Sequence, residues 1–315
     1  MIIRNAVGLR LVLHAILVRN WLVILFVLGI EVFALELHRW IPGLRSVAFS
    51  EAGVAVLAGT VGVFLAFRFN EAYGRWWEAR TLWGGIVNAS RTFARQVTSY
   101  ATESDVSDAF RGAGLEAIRR ELVHRQIAWV NALRLSLRDQ EVFPEIDSFL
   151  DPAEARALRN AANVPAQLMR RQNERLSECF PSDPAGQLIL GRFDTTLAEL
   201  TAMQGGAERI KRTAFPDRVI HTSRIFVWAV ALMVAIAFID PVEVVYVLEF
   251  IAVLVIVLSF KLIVDLGEEL NDPFENRIND TPMTSICRTI EIDLREMLGE
   301  SNLPEPVQPE NGVLM

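Results

Sequence analysis

At 315 residues, 52% hydrophobic and with a mean hydropathy of +0.29, the chain is more apolar than an ordinary soluble protein. Its 22% charged residues are nevertheless too many for a protein lying wholly within a bilayer. The net charge of −7 argues against nucleic acid as a partner. All 31 basic residues except Lys211 and Lys261 are arginine, a bias better explained by genome base composition than by binding.

The charges are segregated along the chain. Residues 1–20 form an arm carrying Arg4, Arg10 and Arg19 with no acid, followed by a first apolar window from Trp21 to Leu37 that contains Glu31 and Glu36. No small-residue cleavage site follows this window, so it reads as an anchor and not a removed signal peptide. The second window, Ala52 to Phe67, holds no charge and passes without a turn signal into RFNEAYGRWWEARTLW. A helix continuing through Tyr73 reaches across a bilayer. Arg68, Arg75 and Arg80 can reach lipid phosphates or acidic neighbours, and Trp76, Trp77 and Trp83 suit the wet edge of a membrane.

Residues 76–216 read as helical throughout. Leu82, Ile86, Val87 and Phe93 recur at helical spacing, as do Leu115, Ile118, Leu122, Ile127, Val130 and Leu133. Asp151-Pro152 and Asp183-Pro184 each pair a capping side chain with a proline at the first helical position. Thr281-Pro282 repeats this pattern before a last helix ending near Gly299. Pro216 marks the return to a third apolar window, Ile225 to Ile239, and a fourth runs from Val244 to Val264 with Glu249 and Lys261. Residues 217–266 thus hold two further spans, 267–299 an acidic segment and helix, and 300–315 a proline-rich, polar tail expected to be disordered.

The expected architecture is an all-α polytopic membrane protein with four transmembrane helices and a helical cytoplasmic domain. The arginine-dense arm and middle segment, set against a loop from Asp240 to Glu243 without a basic residue, place both termini and the middle segment in the cytoplasm. In that compartment Cys179 and Cys287 stay reduced. His14, His38, His124 and His221 lack ligand spacing, and no HExxH, CxxC, glycine-rich phosphate loop or nucleophile elbow is present. Enzymatic function is therefore not expected, and no cofactor is suggested by these motifs.

The pattern Phe67-Arg68-x-Asn70-x-x-Tyr73-x-Arg75-Trp76-Trp77-x-x-Arg80-x-x-Trp83-Gly84 resembles the signature of the bestrophin ion channels in their bacterial form. A second resemblance covers Gly267 to Phe274, Asn279-Asp280 and Cys287 to Glu291. The resemblance implies a homopentamer in which five copies of the second span surround a pore. Gly59, Val63 and Phe67, one helical face apart by fours, match the positions of the family's apolar neck. Gly59 departs from the bulky residue usual there, so its ring would be wider. The rival reading treats Gly53, Gly59 and Gly62 as small residues for close packing, with Val63 facing lipid.

Ile189 matches an apolar side chain that narrows the family's cytoplasmic exit, but it also fits an ordinary core position. Glu269 and Asp272 correspond to part of the calcium clasp of eukaryotic members. Their ligand number is depleted here, and a cap or salt link by Asp272 and Glu275 is the competing role. Glu31, Glu36 and Glu249 are either functional intramembrane groups or edge residues paired with arginines such as Arg39 and Arg45. The resemblance implies passive conduction of chloride, with monovalent cations such as sodium as the alternative. A non-conducting membrane scaffold or sensor is the reading from another class. Membrane lipids are partners in every case.

Overall fold

The structure is a computed structural model that describes residues 18, 20–41, 51–213, 217–238, 243–309 and 313–314. Pro216, Arg4, Arg10, Arg19, Arg45 and the side chain of Glu249 lie outside them. The helices are α1 (Trp21–Trp40), α2 (Glu51–Tyr100), α3 (Ala113–Leu137), α4 (Phe143–Ile146), α5 (Pro152–Leu158), α6 (Val164–Cys179), α7 (Pro184–Arg212), α8 (Asp217–Phe238), α9 (Glu243–Asn271) and α10 (Met283–Met297). They fall into two compact units. One comprises residues 4–75 and 214–271, the other 76–213 and 272–315 together with residues 1–3. Helix α2 runs unbroken through Arg75 and so contributes to both.

In the first unit α1, α8 and α9 pack on one another around a core dominated by valine: Val23, Val27, Val54, Val61, Val227, Val230, Val234, Val253, Val257 and Val264. Its outer surface is also apolar. Leu22, Leu25, Phe33, Val247, Leu248, Ile251 and Val255 all point outward, which a water-facing protein avoids at this density. Among the described residues two helical stretches, Ala52–Tyr100 and Phe250–Asn271, are long and apolar enough to cross a membrane, and His221–Ala237 is a shorter apolar helix. Glu31 is buried on α1, whereas the exposed Glu36 pairs with Arg39 at 2.7 Å.

The second unit is built around α3, which packs on α6 and α10. Phe193 of α7 gathers Phe93, Tyr100 and Phe180 with ring centroids 5.6–6.2 Å apart. Two glycines set the approach of α2 and α7: a Cβ on Gly85 would lie 2.5 Å from Met203 Sδ, and one on Gly206 would lie 3.0 Å from Leu82 Cδ1. Asp151 accepts from the Ala153 amide and Asp183 from the Gly186 amide, both at 2.7 Å, as the proline-linked caps require. Asn163 before Val164-Pro165 makes a third such cap, accepting from the Ala166 amide at 2.9 Å. Thr281 does not cap α10. Its side chain is buried and its amide donates to the Pro273 carbonyl at 3.0 Å, closing a loop instead.

Glu300, at the start of the tail, accepts from His124 (2.9 Å), Arg120 (3.2 Å) and Arg295 (2.7 Å). Inside the unit, buried Arg125 donates twice to Glu154, each at 2.8 Å, and also to Glu121 and Gln172. The short helix α5 thus serves to deliver Glu154 to Arg125. Burial raises the Glu121 pKa, but hydrogen bonds from Arg175 and Arg125 outweigh it and hold the carboxyl below its ordinary value.

Truncating this network has a defined cost. Arg125→Met leaves Glu154 buried without its cation and is expected to destabilise the protein by about 3–5 kcal/mol, read as a lower thermal midpoint. Because the folded pKa of Glu121 is depressed, its contribution is complete above about pH 4.3 and is lost as pH falls through the folded value. The thermal midpoint of wild type should therefore fall on acidification from pH 5 more steeply than that of the Arg125→Met variant. Cys179 and Cys287 are buried thiols, each pushed up to about 12 chiefly by burial. Iodoacetamide at pH 8 should leave both unmodified in the folded protein and label both after denaturation.

Candidate pore-lining face

The apolar half of α2 has two distinct faces. Val54, Val61, Leu65, Arg68 and Ala72 are buried, spaced by sevens, fours and threes so that they lie along one side. The opposite side carries Val56, Gly59, Val63, Phe67 and Asn70, all exposed, with Val56 at 71%, Val63 at 58% and Phe67 at 69% of full exposure. A Cβ on Gly59 would meet nothing within 4 Å, whereas one on Gly62 would touch the Phe260 ring at 3.7 Å. Gly62 is therefore a packing glycine, and Gly59 is not one within this chain. Val63, Phe67 and Asn70 line one wall of an apolar groove of about 640 Å³, with Leu262, Ile263 and Leu266 of α9 on the other.

Where the apolar stretch ends, a set of charges closes it. Arg68, 4% exposed, lies 3.8 Å from Glu268, which is also gripped by Arg224 through two hydrogen bonds of 3.1 and 2.6 Å. Lys261 pairs with Asp265 one turn before Glu268. Arg75 donates from Nε to the Asn271 carbonyl at 3.1 Å and so caps the C-terminus of α9. Of the two roles open to Arg68, reaching lipid phosphate or an acidic neighbour, the second is realised. Nothing local to either segment of sequence indicates that positions 68 and 268 meet.

The aromatic part of the motif divides. Trp83 is fully buried in the hydrophobic core of its unit, so it is a core residue and not a membrane-edge anchor. Trp76 is half-buried and donates from Nε1 to the Asn279 carbonyl at 2.7 Å. Trp77 (55%) and Tyr73 (43%) stay exposed, and Arg80 is half-buried.

The Asp-Pro-Phe segment folds into a tight loop. Phe274 is buried, Asn276 takes the left-handed conformation (φ 66°), and Asp280 accepts from the Arg277 amide at 2.9 Å. Burial pushes the Asp280 carboxyl up. Glu275 provides the salt link expected of this segment, to Lys211 at 2.7 Å, and Lys211 also holds Asp139 at 2.8 Å. Asp272 is exposed at the start of this loop, and Glu269 lies in the last turns of α9, in the other unit. Among the described residues no three His, Cys, Asp or Glu side chains gather as a metal site. Ile189 is half-buried against the core of its unit, while its neighbour Leu188 is 64% exposed.

Residues 6–296 match the profile of the family described as Bacterial/Fungal Bestrophin protein. The voltage-dependent anion channel-forming protein of Mesorhizobium japonicum is 32% identical over 270 residues, covering 85% of this chain and 81% of that protein. Its counterpart in Escherichia coli K12 is 30% identical over 268 residues, 84% of this chain and 82% of that protein. The crystal structure of a bacterial bestrophin homolog from Klebsiella pneumoniae shares the fold, with a TM-score of 0.75 at 23% identity over 88% of this chain and 97% of that one. The chain belongs to the bestrophin family, in its bacterial and fungal branch.

Proposed function

We propose that the chain is one subunit of a homopentameric ion channel, with α2 from each copy lining a central pore. The observation that carries this is the outward stripe of Val56, Gly59, Val63 and Phe67, which stays exposed among the described residues, with α9 only bordering it across the groove beside Val63 and Phe67. Within a single subunit such a stripe would face lipid equally well; family membership favours the pore. In this reading α1, the apolar half of α2, α8 and α9 are the four spans. The unit built on α3 is cytoplasmic, as are both termini, and the membrane is the bacterial inner membrane. Gly59, Val63 and Phe67 form the neck, with Gly59 its widest ring, and Ile189 narrows the cytoplasmic exit.

Conduction is passive. Apolar rings set a dewetting barrier, and the positive edges of the Phe67 rings tolerate an anion. The names of the bacterial relatives favour anions, and we assign chloride as the permeant ion. Monovalent cations are the alternative, favoured by the net charge of −7.

Planar-bilayer recording under asymmetric sodium chloride tests the assignment. A reversal potential near that of chloride is expected, and one near that of sodium would reassign the channel to cations. Silence from inserted, pentameric protein would favour a scaffold. Phe67→Ala should raise unitary conductance severalfold, and Val63→Ala should act in the same direction. Leu65→Ala, on the buried face, should leave conductance unchanged while lowering stability by about 2–5 kcal/mol. Equal conductance in wild type and Phe67→Ala would remove Phe67 from the neck.

A further inference from the structure

Between α8 and α9 lies a second groove, of about 240 Å³, lined by Arg224, Val227, Trp228, Lys261, Val264 and Asp265. Val227 and Val264 are its buried apolar floor, and Trp228 is a half-buried wall whose ring meets Phe26 of α1 edge-on at 4.6 Å. Its rim is ionic. Lys261 faces Asp265, Arg224 faces Glu268, and Arg68 stands behind Glu268. Three cations therefore meet two carboxylates, an excess of one positive charge beside an apolar floor.

The donors at this rim are not exhausted. Arg224 uses Nε and Nη2 on Glu268, and one donor of the Lys261 ammonium engages Asp265. An ammonium carries three donors and a guanidinium five. At the edge of a spanning helix, where water is scarce, such donors seek an acceptor of opposite charge. Basic pockets between spanning helices on the cytoplasmic side have the chemistry of a phospholipid headgroup site, and a tryptophan wall suits the same depth.

We propose that this groove holds one anionic phospholipid, its phosphate on Arg224 and Lys261 and the start of an acyl chain over Val227 and Val264 against Trp228. The proposal rests on the membrane reading of α8 and α9. The phosphate chemistry is shared with free inorganic phosphate, but the apolar floor beside the cations commits the site to a lipid.

The test is lipid enrichment around the full-length protein reconstituted in vesicles of mixed phosphatidylglycerol and phosphatidylcholine, extracted gently and weighed by native mass spectrometry. Retention of phosphatidylglycerol over phosphatidylcholine is expected. Lys261→Gln and Arg224→Gln should each lower that preference about fivefold, and Lys261→Arg should restore it. Phosphatidylglycerol, but not an equal concentration of inorganic phosphate, should raise the thermal midpoint of wild type. No preference in inserted wild-type protein, an undiminished preference in both Gln variants, or equal stabilisation by phosphate would overturn the proposal. Failure of the protein to enter vesicles at all would instead overturn the membrane reading beneath it.

Discussion

Helix α2 must bury one face while leaving the other open, and most of the molecule follows from how it does so. In its apolar half the buried face is made of Val54, Val61, Leu65, Arg68 and Ala72; further on it is Ala79, Trp83, Ile86, Phe93 and Val97. The open face could not be polar without removing the helix from a membrane, and it could not be covered without closing the stripe that the proposed pore needs. An apolar but unpartnered stripe satisfies both conditions, and assembly with further copies is what would relieve its exposure.

Arg68 shows how the same helix tolerates a buried charge. Taking a guanidinium out of water is costly unless an anion and good hydrogen bonds accompany it. Glu268 supplies the anion at 3.8 Å, and Arg224 orients that carboxylate with two hydrogen bonds. Arg75 then satisfies the end of α9 by binding the Asn271 carbonyl. Charges thus collect at the ends of apolar helices, where each has a partner. In the second unit, Lys211 between Glu275 and Asp139, and Arg125 between Glu154 and Glu121, repeat this pairing in place of apolar contacts.

The Trp76 indole and the Asp-Pro-Phe loop show that a family motif need not be a functional motif. Trp76 ties to Asn279, Trp83 fills a core, and Phe274 and Cys287 are buried. These residues fix backbone position, so substitutions there report first on stability. The residues assigned to conduction, Val63 and Phe67, are instead exposed, at 58% and 69%.

By itself the sequence determined the helical class, the apolar stretches with their arginine flanks, the proline-linked caps at Asp151 and Asp183, and, through the spacing of Arg68 to Trp83, the family. These signals are local: hydrophobic period, capping chemistry and motif spacing are all written within one or two turns of chain. Only the tertiary structure decided that Trp83 is core and Trp77 exposed, that Glu268 answers Arg68 across two hundred residues, that Thr281 closes a loop instead of capping a helix, and that Gly59 is open while Gly62 is packed. Each of these depends on which side of a helix meets a neighbour. Residues three positions apart carry the same local pattern, and only the packing of a distant helix separates them.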